Sequence, residues 1–152
     1  MVRSENARLP VVEIRAVCDC AGVDIPALKR YASKVMVEAG HKKCELSVLL
    51  AGDAFVRELN KRYRSVDRTT NVLAFSQQDS SQTLPIPMLL GDVVISVEKA
   101  GRDSAAAGNS LSDELKKLIV HGVLHLSGHD HRTRAQARRM RQLEQTIMEQ
   151  MG

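Results

Sequence analysis

Four of the five histidines of this chain fall in one stretch, HGVLHLSGHDH, at residues 121–131. Neutral imidazole is the commonest side-chain ligand of zinc and similar ions. His121 and His125 are four apart, so on an α-helix they lie one turn apart on the same face and can reach a single ion. Gly128 follows, a residue suited to ending a helix with a left-handed turn, and such a turn can carry His131 back toward that ion. His129 is the competing third ligand. It precedes the completion of the turn, which favours His131. Asp130 has two open roles, orienting a ligand histidine or capping the next helix.

The spacing H-x-x-x-H-x-x-G-x-x-H is that of the metzincin zinc hydrolases. Those enzymes carry a glutamate directly after the first histidine as general base, and here that position is Gly122. The metal ligands of such a peptidase are therefore present without its base.

At 152 residues, 43% apolar and 26% charged, the chain is expected to fold as one domain spanning 1–152. No run of 18 apolar residues marks a membrane span, and MVRSENARLP lacks the apolar stretch of a secretory signal. A cytoplasmic protein without a membrane partner is expected. Cys18, Cys20 and Cys44 are an odd count at no familiar metal spacing and read as reduced thiols. The net charge is +4. Its distribution says more: RTRAQARRMR at 132–141 holds Arg132, Arg134, Arg138, Arg139 and Arg141 and no acid. That segment is either a solvated helix face or a phosphate-contacting patch. Two Phe, two Tyr and no Trp argue against aromatic stacking as the main mode of base recognition.

Elements that position the histidines follow from periodicity. Alternation predicts strands at 11–17 and 44–51, and a near-continuous apolar run predicts a central strand at 89–97. A short strand is expected at 71–75. Asp24 and Pro26 open a helix that Gly40 closes. A second helix is expected to be capped by Asp53, with Phe55, Val56, Leu59 and Tyr63 turned inward. Residues 76–88 read as a surface loop. A helix from about Ser96 stops at Gly108. Ser110 or Ser112 caps the next one, whose apolar positions Leu111, Leu115, Leu118, Ile119, Gly122 and Leu126 run straight into the histidine motif. A last helix covers about 133–151. The expected class is α+β: a small mixed sheet with packed helices, and the metal site on a C-terminal helix-turn.

Two blocks then resemble the YbeY family of bacterial zinc-dependent endoribonucleases. One is HGVLHLSGHDH. The other is LNKRYRSVDRTTNVLAF at 59–75, similar to that family's L-N-x-x-Y-R…T-N/D-V-L-S-F block, and Leu90-Gly91-Asp92 also matches. The resemblance implies one Zn2+ per chain held by His121, His125 and His131, with Arg64 as an essential functional residue. It also implies cleavage of single-stranded RNA in 16S rRNA 3′-end maturation and ribosome quality control. The implied partners are a small-subunit ribosomal protein and a ribosome-associated GTPase. Two positions depart from the pattern: His129 stands where relatives often have Tyr, and the stretch after His131 is arginine-rich instead of acidic.

Three protein ligands leave a zinc ion one position for water, whose hydroxide could attack a phosphodiester directly; alternatively the RNA 2′-OH attacks and the metal stabilises the charged oxygens. Arg64 would hold the phosphate oxygens in a fork geometry. Two other readings stay open. One is a zinc peptidase or amidohydrolase taking its base from Asp92 or Asp130. The other is a non-enzymatic ribosome-assembly factor whose zinc is closed by His129 or Asp130.

Overall fold

The computed structural model describes residues 9–77, 88–129 and 131–151. Strands β1 (Val11–Ala16), β2 (Cys44–Ala51), β3 (Val72–Ser76) and β4 (Met88–Ser96) form one sheet in the order β1-β2-β4-β3. The first three in that order are parallel, and β3 runs antiparallel along the β4 edge. Five helices accompany them: α1 (Ile25–Glu38), α2 (Asp53–Arg64), α3 (Val97–Ala107), α4 (Leu111–Leu126) and α5 (Arg134–Gln150). The class is the α+β expected, and β4 lies inside the sheet as its apolar run predicts. No helix among the described residues is long and apolar enough to cross a membrane.

Strand alternation divides the sheet into two unlike faces. Val12, Leu46, Val48, Leu50, Val93 and Ile95 join α1, α4 and α5 in the main core. Ala51, Leu73 and Val94 turn the other way and form a smaller cluster with Val56 and Leu59 of α2. Between Glu45 and Leu46 the β2–β4 register slips by one residue at Leu90. This bulge sets which of Gly91, Asp92 and Val93 faces which side.

Helix α4 is the centre of the larger core. Leu115, Leu118, Ile119, Val120, Val123, Leu124 and Leu126 are all buried, each large one worth about 1.5–3 kcal/mol relative to exposure. Two glycines let the helix come this close. A Cβ on Gly122 would stand 2.8 Å from Val93 Cγ2, and one on Gly91 would stand 2.5 Å from the Phe75 carbonyl oxygen and 2.6 Å from Leu126 Cδ2.

Local signals place the ends. Asp24 accepts from the Ala27 N–H, Ser96 from Lys99 and Ser110 from Asp113. Thr133 and Gln136 form a reciprocal capping box on α5. Asp53 departs from expectation. The N-cap of α2 is Gly52, without a side-chain cap. Instead the Glu98 carboxylate accepts the Asp53 N–H at 2.7 Å, in the space a Cβ on Gly52 would take. The inward stripe expected on α2 also differs. Val56 is buried, whereas Phe55 and Tyr63 are 43% and 62% exposed, because α2 covers only part of its sheet face.

Gly91→Ala should lower the unfolding free energy by about 1–3 kcal/mol, the usual cost of overpacking. Urea unfolding should show a lower midpoint at an unchanged slope. An unchanged midpoint would mean that β3 and β4 separate more readily than their packing implies.

Candidate metal centre

His121 and His125 project from the last two turns of α4. The helix ends in a Schellman turn: the Gly128 N–H donates to the His125 carbonyl and the His129 N–H to the Leu124 carbonyl, both at 3.1 Å. Gly128 takes φ 98°, a conformation glycine adopts without strain. This turn reverses the chain and returns His131 over the other two rings. Ring centroids lie 5.8 Å apart for His121–His131 and 6.3 Å for His125–His131. Three imidazoles sharing a tetrahedral ion, each nitrogen about 2.0–2.1 Å from it, put their centroids roughly 5 Å apart.

The three rings thus line one cleft, spaced somewhat wider than a loaded cage. No group of three or more His, Cys, Asp and Glu side chains among the described residues is already closed to ligating distance. The fit to a zinc-type ion rests on donor chemistry and support. His121 Nδ1 lies 2.6 Å from Glu144 Oε1, so the ring is oriented by a carboxylate with its Nε2 left for an ion. His129 is bonded into the turn through its backbone and lies outside the cleft lined by the other three histidines. The roles considered for Asp130 lie outside the described residues.

The turn itself is clamped. Ser127 Oγ donates to the Val123 carbonyl at 2.8 Å and lies 2.6 Å from His41 Nε2. With the single hydroxyl proton committed to Val123, His41 Nε2–H is the donor to Ser127. Burial pushes the His41 pKa down, which favours this neutral imidazole.

Arg64 comes to the same cleft from α2. Ser65 ends that helix in the left-handed region at φ 57°, so Arg64 is its last residue. The exposed guanidinium donates through Nη2 to the Ala74 carbonyl on β3 at 3.3 Å. Arg64, Val72, Ala74, His121, Gly122, His125 and His131 enclose a cleft of about 40 Å³, room for an ion and a water but not for a base. All four residues singled out by sequence are therefore brought together.

The loop after Arg64 is tied down by polar groups. Buried Asn60 donates to the Arg68 carbonyl at 2.9 Å. Asp53 accepts from Ser96 Oγ at 2.7 Å, Thr69 Oγ1 at 3.1 Å and Arg102 Nη1 at 2.7 Å. The Arg102 bond, helped by Ser96 and Thr69 and opposed by burial, holds the Asp53 carboxyl below its usual range.

Two other expectations are revised. Position 122 faces Val93 across van der Waals distance, so the missing glutamate reflects helix–sheet contact and no carboxylate fits there. Asp92 cannot serve as a peptidase base in this cleft, because strand alternation turns it to the α2 face, where Gln77 Nε2 donates to it at 3.0 Å. Arg132, Arg134, Arg138, Arg139 and Arg141 are all exposed on the flank beyond His131.

A histidine cluster on a helix-turn, faced by an arginine across a sheet edge, defines a candidate metal-dependent hydrolase site on an α+β scaffold. The family model described as Endoribonuclease YbeY matches residues 20–152, and the chain belongs to that family. An "Endoribonuclease YbeY" of Rhodopseudomonas palustris is 39% identical over 152 residues, covering 94% of this chain and 87% of its own. One from Desulfitobacterium hafniense is 41% identical over 126 residues, covering 80% of each chain. A Thermotoga maritima protein solved in solution shares the fold at a TM-score of 0.57 and 20% identity, over 91% of each chain. Membership supports a nuclease that hydrolyses RNA.

Two outcomes test the supports. Glu144→Gln should weaken zinc affinity by about 10–100-fold, measured by chelator competition; unchanged affinity would remove Glu144 from the site. Asp53 contributes stability above its ordinary pKa, near 4, and that contribution is lost as pH falls through its lower folded value. The parent should therefore melt higher than Asp53→Asn at neutral pH, with the gap closing below about pH 4. A gap independent of pH would refute the charge-based role.

Proposed function

We propose that this chain is a single-strand-specific, zinc-dependent endoribonuclease, with His121, His125 and His131 holding one Zn2+ and Arg64 holding the scissile phosphate. The observation that carries this reading is the convergence of three imidazoles and one guanidinium on a single small cleft. Zinc at such a site supplies Lewis acidity and acidifies water near neutral pH.

The remaining work falls to the chain's own groups. Arg64 commits one N–H to Ala74 and presents the rest of its fork to the non-bridging oxygens of a phosphodiester. Glu144 fixes the His121 tautomer, keeping the ligating nitrogen unprotonated. Packing of α4 on the sheet holds His121 and His125 without further adjustment. The exposed arginines from Arg132 to Arg141 give a cationic flank that raises the local concentration of a polyanion. RNA is the substrate that family membership supports.

The family resemblance extends the proposal to cytoplasmic 16S rRNA 3′-end maturation and ribosome quality control, alongside a small-subunit ribosomal protein and a ribosome-associated GTPase. His125→Ala should lose both bound zinc and cleavage. Arg64→Glu should keep zinc and cleave about 100–1,000-fold more slowly, the cost of removing one preorganised charge stabiliser. A strain carrying His125→Ala should accumulate 16S rRNA with an unprocessed 3′ end. Parent-like cleavage by both variants, purified identically, would assign the activity to a contaminant.

A further inference from the structure

The cleft at the histidines is too small for a base, yet a larger groove of about 370 Å³ opens on the other sheet face. Its floor crosses all four strands: Arg15 from β1, Ser47 and Leu49 from β2, Asp92 and Val94 from β4, and Phe75 from β3. Its wall is the stripe Phe55, Leu59 and Tyr63 on α2, at i, i+4 and i+8. Few as they are, three of the chain's four aromatic residues meet here, so the low aromatic content leaves room for stacking at this one place. Tyr63 is largely exposed and Phe55 partly so, and the Tyr63 and Phe75 rings pack edge to face at 5.5 Å.

The geometry points to this groove as the subsite that takes an unpaired base of the RNA strand next to the phosphate held by Arg64. This rests on the endoribonuclease reading above. Three features select a nucleobase as occupant. Exposed rings beside Leu49 and Val94 of a mixed polar and apolar floor offer a stacking surface. The Asp92 carboxylate, joined to the Gln77 amide at 3.0 Å, supplies an acceptor to match the exocyclic amino group of a base edge. The groove lies across the β3 edge from the phosphate site, on the opposite sheet face: Tyr63 directly precedes Arg64, and Phe75 directly follows Ala74, whose carbonyl accepts from the Arg64 guanidinium. A strand can thus pass over the β3 edge with its phosphate on one side and its base on the other. Basic Lys61 and Arg62, also in the last turn of α2, suit a polyanion along that path.

The test uses the full chain and a single-stranded RNA decamer carrying one 2-aminopurine, whose fluorescence falls on stacking. Its 2′-O-methyl sugars block attack by the 2′ oxygen, and a duplex of the same sequence serves as the comparison. Phe55→Ala and Tyr63→Ala should each bind about tenfold or more weakly, the loss expected for one base stack, and should abolish part of the quench. With unmodified RNA the loss should fall in KM more than in kcat. Tyr63→Phe should recover most of the affinity, because the ring remains. Both side chains are exposed, so parent-like circular dichroism is expected and checks the fold.

If the parent cleaves RNA while both alanine variants bind and cleave within about twofold of it, the inference is overturned and the nuclease reading survives. The groove would then belong to a protein partner. If the parent neither binds nor cleaves single-stranded RNA, both fall together. Equal binding of the duplex would also overturn the inference, since a paired base cannot enter the groove.

Discussion

The contact on which the molecule depends is the close approach of α4 to β4 through Gly122. A helix normally stands off from a sheet by the thickness of its side chains. Here the missing Cβ lets α4 settle onto Val93, and the same helix fills the core with large apolar residues on its remaining faces. His121 and His125 flank this point of contact. Their placement is therefore fixed by a close helix–sheet contact amid buried side chains, where a displacement would disturb several of them at once.

The site is assembled from α4 with the turn that follows it, from α2 and from α5. α4 supplies two histidines, the turn after it a third, α2 the arginine and α5 the carboxylate behind His121. Each arrives by a distinct local device: a Schellman turn at Gly128, a left-handed Ser65, a capping box at Thr133. The polar hub around Asp53 joins α2, α3 and the segment before β3, so the arginine side of the cleft is held by hydrogen bonds. The histidine side is held by apolar packing. The two halves meet across the edge strand β3, which contributes backbone and small side chains and leaves room between them.

Much of this was legible in the sequence because it is written in short-range patterns. The histidine spacing, the glycine after it and the capping residues Asp24 and Ser110 all act within a few residues, whereas the caps at Ser96 and Thr133 emerge only in the structure. The block around Arg64 was legible only through family resemblance, since nothing in its local spacing says that it faces the histidines. Glu144 left a weak trace: an acid on the same stripe as buried Met140 and Ile147. The His41–Ser127 clamp and the Asp53 hub left none, as each joins residues far apart in sequence. The exposed stripe on α2 was misread because helical periodicity reports which residues share a face and is silent on what covers it.

One consequence lies in the unequal footing of the three imidazoles. Two stand on a helix that the core holds in place, and the third hangs from a loop secured by a few backbone bonds and a serine. An ion held by all three would depend on the core for two of its ligands and on the Gly128 turn for the third. Loss of such an ion would leave the apolar packing of α4 in place, unlike a small module whose shape exists only while the ion is bound.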